Sequence, residues 1–235
     1  MNIRRHLLAA ALTACIAPLA SAQTPGLAVL QNAWANPGIT AAVDAGFGGG
    51  TSTFAGAAAW APGSARFQLS LAAGVRNVSG TGAAATGGAR IAVPFWSTSS
   101  GKLGVAGFAG IGSSKLASDT NVAGGSAILS QVPIGLSVGY RMRLGATRGI
   151  SAYASPFYAL WRRDLPAVDA TATQPAIPGT KVTNGLFRVG LGVDVGVTSR
   201  LGVTGGVELG ATKNTGAGPG GTIATIAASW AFGAR

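Results

Sequence analysis

Nine charged side chains carry the chemistry available to the regular segments of this 235-residue chain: Asp44, Arg66, Arg76, Arg90, Arg141, Arg143, Arg188, Asp194 and Glu208. Each stands at an alternate position opposite an apolar residue, so all nine belong to one face of their segments. Arginines on such a face can hold carboxylate or phosphate groups, or set a field that favours anions. They can equally bridge to Asp44, Asp194, Glu208 and backbone oxygens. Hydrolytic chemistry is much less available. The single histidine, His6, lies in the extreme N-terminal segment, so a chain lacking that segment has no Ser-His-Asp set, no histidine base and no histidine metal ligand. The remaining carboxylates, Asp119, Asp164 and Asp169, fall in polar stretches. Asp164 and Asp169 alone are a thin basis for calcium, which takes six to eight oxygens. Gly46 to Gly50 and Gly216 to Gly221 lack the lysine-serine ending of a phosphate loop and read as hairpin connections. No catalytic residue, cofactor or metal site is expected.

The elements that carry these charges repeat with a period of two, which belongs to a strand. Between residues 127 and 144, Ile128, Val132, Ile134, Leu136, Val138, Tyr140 and Met142 alternate with Leu129, Gln131, Pro133, Gly135, Ser137, Gly139, Arg141 and Arg143. Similar alternation marks residues 39–47, 52–60, 65–76, 86–95, 102–111, 149–161, 185–198, 201–211 and 222–232. Segments of about ten residues are long enough to cross a bilayer as tilted strands. Charge on a lipid-facing side costs roughly 2–4 kcal/mol for Arg or Lys at mid-membrane, so the nine charges are expected inside.

Residues 1–22 read as an export signal, with Arg4 and Arg5 as its charged head, Leu7 to Leu19 as its apolar body and Ala20-Ser21-Ala22 as its cleavage site. Leu12-Thr13-Ala14-Cys15 resembles the lipobox at which bacterial lipoproteins are cut and acylated, but the stretch before Cys15 is short. We read Cys15 as a small apolar residue of an ordinary signal. It is the only cysteine, so no internal disulfide can form. Residues 23–38 then form a short periplasmic segment and residues 39–235 the barrel.

The formal net charge is +11 and the mean hydropathy is +0.40, with only 10% charged residues. A soluble domain needs more polar surface. The basic residues are scattered singly, apart from Arg162-Arg163, which argues against nucleic acid. The 38 glycines have no Gly-X-Y period, which excludes collagen and suits crowded strands.

Short turns at Pro62-Gly63, 97–101, 145–148 and Ser199-Arg200 alternate with longer polar stretches at 77–85, 112–126, 162–184 and 212–221. Outer-membrane barrels show this alternation of periplasmic turns and external loops. Trp60, Trp96, Tyr140, Trp230 and Phe232 fall toward the short-turn ends, and Tyr158 and Trp161 toward the long-loop ends, as two aromatic girdles would. Pro133 and Pro156 each remove a ladder donor within a strand. Pro133 is expected in an extension above the membrane and Pro156 at a bulge.

The export signal, the alternating strands over residues 39–232 and a last strand ending in Trp230-Ala231-Phe232 resemble the small bacterial outer-membrane β-barrel proteins. The resemblance implies an all-β, closed, antiparallel, up-and-down barrel of about ten strands, with eight or twelve as alternatives. It implies outer-membrane lipid and the barrel-assembly machinery as partners. In that family a terminal aromatic strand is read by the machinery; here Gly233-Ala234-Arg235 follow it. The functional expectation is a non-enzymatic integral barrel, structural or a narrow anion-favouring pore for small solutes. The alternative is a surface binding protein using its external loops, especially 162–184.

Overall fold

The computed structural model describes residues 24–79, 82–116, 127–144, 148–167, 176, 178–210 and 221–232. The signal segment with Cys15, and Asp119, Asp169 and most of Gly216 to Gly221, lie outside the described residues.

The alternating segments form ten strands: β1 (Gly38–Gly48), β2 (Thr51–Ala61), β3 (Gln68–Val78), β4 (Gly82–Ser97), β5 (Leu103–Leu116), β6 (Ala127–Arg143), β7 (Gly149–Leu165), β8 (Thr180–Gly196), β9 (Leu201–Gly210) and β10 (Ile223–Phe232). Each pairs antiparallel with its sequence neighbours, and β10 returns to pair with β1. The closed sheet leaves no unpaired edge. At the β1–β2 connection Gly49 and Gly50 have φ of 59° and 73°. A type I′ two-residue hairpin needs positive φ at both central positions, and glycine supplies it without strain.

Side-chain alternation sorts the wall into two faces. Val43, Phe54, Leu71, Ile91, Ile111, Ile134, Leu191 and Ile226 are among the large apolar residues exposed on the outside. An apolar band of that extent is untenable in water and matches a hydrocarbon surround. Among the described residues no helix is long and apolar enough to cross a membrane. The strands do the crossing.

The wall is uneven in height. β1, β2 and β3 have 11 residues each, whereas β6, β7 and β8 have 17. The β7–β8 connection therefore narrows from the expected 162–184 to 166–179.

Neither Pro133 nor Pro156 shifts the register. The β5–β6 ladder is interrupted opposite Pro133, between Ala109↔Ile134 and Gly112↔Gln131, while Pro133↔Ala159 persists on the β7 side. The β6–β7 ladder is interrupted opposite Pro156, between Gly135↔Phe157 and Val138↔Ala154, while Pro156↔Val189 persists on the β8 side. A strand residue directs its N–H toward one neighbour only, so each proline opens one ladder and spares the other. The bulge expected at Pro156 lies instead in β4, between Pro94 and Trp96. It leaves both Phe95 and Trp96 exposed on the outside.

Candidate functional site in the barrel lumen

The sequence analysis assigns residues 23–38 to the periplasmic side. Residues 24–35 instead run through the lumen, with Thr24, Leu27, Val29, Leu30, Gln31, Asn32 and Ala33 buried. Gly26 lies beside Thr53 and Arg76, near the long-loop ends of β2 and β3. Trp34 lies against Gly104 and Gly139, near the short-turn ends of β5 and β6. The chain therefore descends from the loop side to the turn side, where β1 begins. This segment carries no charge and contains Leu27-Ala28-Val29-Leu30 and Trp34. Those residues are the signal that could have revealed it: a chain without charge and with several large apolar groups gains by burial.

Polar groups of five strands hold the segment, mostly by its backbone. The Ala28 amide donates to Thr225 Oγ1 at 2.8 Å, the Val29 amide to Glu208 Oε2 at 2.7 Å and the Gln31 amide to Ser155 Oγ at 3.2 Å. The Gln31 carbonyl accepts from Ser155 Oγ at 2.9 Å and from Ser137 Oγ. Asn32 Nδ2 donates to Ser151 Oγ at 2.7 Å and to Asp194 Oδ2 at 2.5 Å. Within the segment the Leu27 amide donates to the Thr24 carbonyl and the Leu30 amide to the Ala28 carbonyl, both at 3.0 Å, and backbone groups buried away from water must find such partners.

Apolar contacts complete the seat. Val29 joins Phe108, Leu129, Phe157 and Trp161, with Val182 and Leu186 packed against them. Leu30 joins Tyr153 and Ile223. At the turn side the Arg141 guanidinium lies 4.7 Å from the Trp34 ring centre, and Arg141 Nε donates to the Gly101 carbonyl at 2.7 Å. A cation over an indole face is attracted by the ring quadrupole.

Six of the nine predicted inward charges are buried inside the barrel: Asp44, Arg76, Arg90, Arg188, Asp194 and Glu208. Arg141 is half-buried at the turn-side mouth. Arg143 is exposed at the end of β6, and Arg66 is exposed in the β2–β3 turn, outside any strand. Parity assigns a face, but beyond the rim both faces meet solvent. The interior therefore loses the cationic excess expected of it, since Arg76, Arg90 and Arg188 are matched in number by Asp44, Asp194 and Glu208.

Of the three buried acids, only Glu208 forms a salt bridge with an arginine among the described residues. Arg188 Nε donates to Glu208 Oε1, and both side chains are fully buried. Arg188 Nη2 also donates to the Gly221 carbonyl at 2.7 Å. Glu208 thus links a wall arginine to the backbone of the lumen segment. Asp194 accepts from Asn32, from Tyr153 Oη at 3.2 Å and from Thr204 Oγ1. Among the described residues, neither Asp44 oxygen has a hydrogen-bond partner, nor do Arg76 Nε and Nη1 or Arg90 Nε. Asp164 is bridged at 2.9 Å by Arg162 outside the lumen, and no group of three potential metal ligands exists among the described residues.

Of the predicted girdle, Trp60, Trp96, Tyr140, Tyr158, Trp230 and Phe232 are exposed on the outer face. Trp161 is not: it points inward and is 1% exposed. It shares the parity of Tyr153 and Phe157, and burial against Val29 outweighs placement at a headgroup zone.

No protein-family model and no curated protein matches this sequence. Among solved structures, the chain is similar to the translocator domain of the autotransporter NalP from Neisseria meningitidis, at 13% identity over 83% of this chain and 87% of that one, with a TM-score of 0.50. It is also similar to the N-terminal β-barrel domain of Pseudomonas aeruginosa OprF, at 8% identity over 83% and 96% of the two chains and a TM-score of 0.38. The β domain of the Bordetella autotransporter BrkA matches at 12% identity over 83% and 98%, with a TM-score of 0.35. The fold is that of a bacterial outer-membrane β-barrel.

Proposed function

We propose that this protein is a non-enzymatic integral barrel of the bacterial outer membrane, structural in role and closed to solutes at rest. It enters the membrane through the barrel-assembly machinery and is surrounded by outer-membrane lipid. The observation that carries this reading is the passage of residues 24–35 through the lumen, hydrogen-bonded to β6, β7, β8, β9 and β10. On this reading the segment, with the side chains packed against it, separates the loop-side and turn-side solutions. The balance of buried arginines and acids removes the basis for a standing anion preference.

The test is planar-bilayer conductance of the full chain and of a variant lacking residues 24–36. The full chain is expected to stay closed and the variant to open. Steady conductance of the full chain, equal to that of the deletion, would exclude the closed reading.

A second reading, surface binding through 162–184, is favoured by the height of β7 and β8. Their 17 residues exceed the span of a bilayer, which takes about 9–11 tilted strand residues. Deleting residues 166–179 would then leave insertion intact and abolish binding to cells or matrix; retained binding would exclude that loop.

A further inference from the structure

We infer that the lumen is a binding site for a polypeptide segment, recognised chiefly by its backbone, and that residues 24–36 are its resident occupant. The inference rests on the closed reading above and adds to it a ligand class.

The wall offers hydroxyl and carboxylate groups at successive heights, and they meet main-chain atoms. Thr225, Glu208 and Ser155 accept from the amides of Ala28, Val29 and Gln31. Ser137 and Ser155 donate to the Gln31 carbonyl. Only at Asn32 do side-chain atoms of the segment take wall hydrogen bonds among the described residues. A segment held by its main-chain atoms keeps these hydrogen bonds when most of its side chains change.

The wall is also shaped for a chain. A Cβ built on Gly46 would lie 2.6 Å from the Gly26 carbonyl oxygen, and one on Gly206 would lie 2.7 Å from the Leu30 side chain. One on Gly190 would collide with the Val29 carbonyl oxygen. At Gly104 and Gly139 it would lie 2.8 and 2.7 Å from the Trp34 ring. Five glycines on five strands thus line a trough along the path of one chain. Gly46 and Gly190 admit its backbone, and Gly104, Gly139 and Gly206 admit its Trp34 and Leu30 side chains. The ligand that fits is an uncharged peptide of small and aliphatic residues with one aromatic ring at its turn-side end.

The experiment adds synthetic peptides to the barrel lacking residues 24–36 in a planar bilayer. A peptide of residues 23–37 is expected to lower its conductance by about tenfold or more at saturation. The same peptide N-methylated at Ala28, Val29 and Gln31 should lose the block, whereas a Gln31→Leu peptide, whose altered side chain bonds only the Asn32 carbonyl within the segment, should keep it. No block by the unmodified peptide, in a barrel that opens on deletion, overturns the inference and leaves the closed reading standing. Block that survives N-methylation overturns backbone recognition. Conductance of the intact chain defeats the closed reading itself. If the deleted barrel does not fold alone, refolding it with the peptide should restore the heat-modifiable barrel on gels; failure to restore it also overturns the inference.

Discussion

The wall formed by β6–β10 meets the lumen segment with Ser137, Ser151, Ser155, Asp194, Glu208 and Thr225, each hydrogen-bonded to it. The wall formed by β1–β4 meets the lumen with Ala42, Ala55, Ala57 and Ala59, and with Asp44, Arg76 and Arg90. The first wall pairs its charges and hydroxyls with a chain; several charged atoms of the second find no partner among the described residues. Ala42, Ala57, Ala59 and Ala227 pack into a cluster of small side chains, while the opposite side holds Phe108, Phe157 and Trp161. Sequence type alone does not decide what a buried charge contributes. Glu208 is held between Arg188 and a backbone amide, and Asp44, on a strand of equal regularity, has neither. Stability should therefore reside in one half of the lumen.

The comparison can be tested by substitution, beginning where the effect is greatest. Glu208→Ala strands the Arg188 guanidinium and the Val29 amide together. It should lower unfolding free energy by about 3–5 kcal/mol, the cost of leaving one partner of a buried pair uncompensated. Urea unfolding in detergent measures it, and adding Arg188→Met should recover part of the loss. A double variant no better than the single one would break the account of Glu208 as a link.

Asn32→Ala removes the donors to Ser151 and Asp194, two buried acceptors, and should cost about 1–3 kcal/mol. Gly139→Val forces a Cβ into the Trp34 ring, and overpacking of this kind costs about 1–3 kcal/mol. Its sharper readout is conductance: with Trp34 displaced from the turn-side mouth, brief openings should appear in a barrel that is otherwise closed. A silent Gly139→Val barrel with native stability would show that Trp34 is not seated there in the membrane.

Asp44→Asn is expected to change stability least, by under about 1 kcal/mol in either direction, because Asp44 has no hydrogen-bond partner among the described residues and the lost attraction to Arg90 is offset by the desolvation cost removed with the charge. A loss as large as that of Glu208→Ala would erase the distinction between the two walls.

Much of the wall was legible in the chain. Ten alternating segments became ten strands, because alternation is a local property that records which face meets hydrocarbon. Trp60, Tyr158, Trp230 and Phe232 are exposed large side chains. The local reading failed where distant contacts or the rim intervened. Trp161 has the inward parity of Phe157, yet its nearness to a strand end suggested a girdle; Val29 supplies the apolar partner that makes the inward place favourable. Arg66 and Arg143 have inward parity but lie beyond the closed part of the wall. Pro156 was expected to bulge the sheet, but a strand needs each N–H for one neighbour only.

The segment at 24–36 was the largest omission. It has no period to announce it, and its partners are remote: Ala28 meets Thr225 across 197 positions, and Asn32 meets Asp194 across 162. The sequence by itself determined that there is a closed wall, which side of it is greasy, and that histidine chemistry is confined to the N-terminal segment. The tertiary structure alone decided what occupies the interior and which buried charge has a partner. Those outcomes depend on distances across the lumen, and a chain read residue by residue records only its neighbours along the strand.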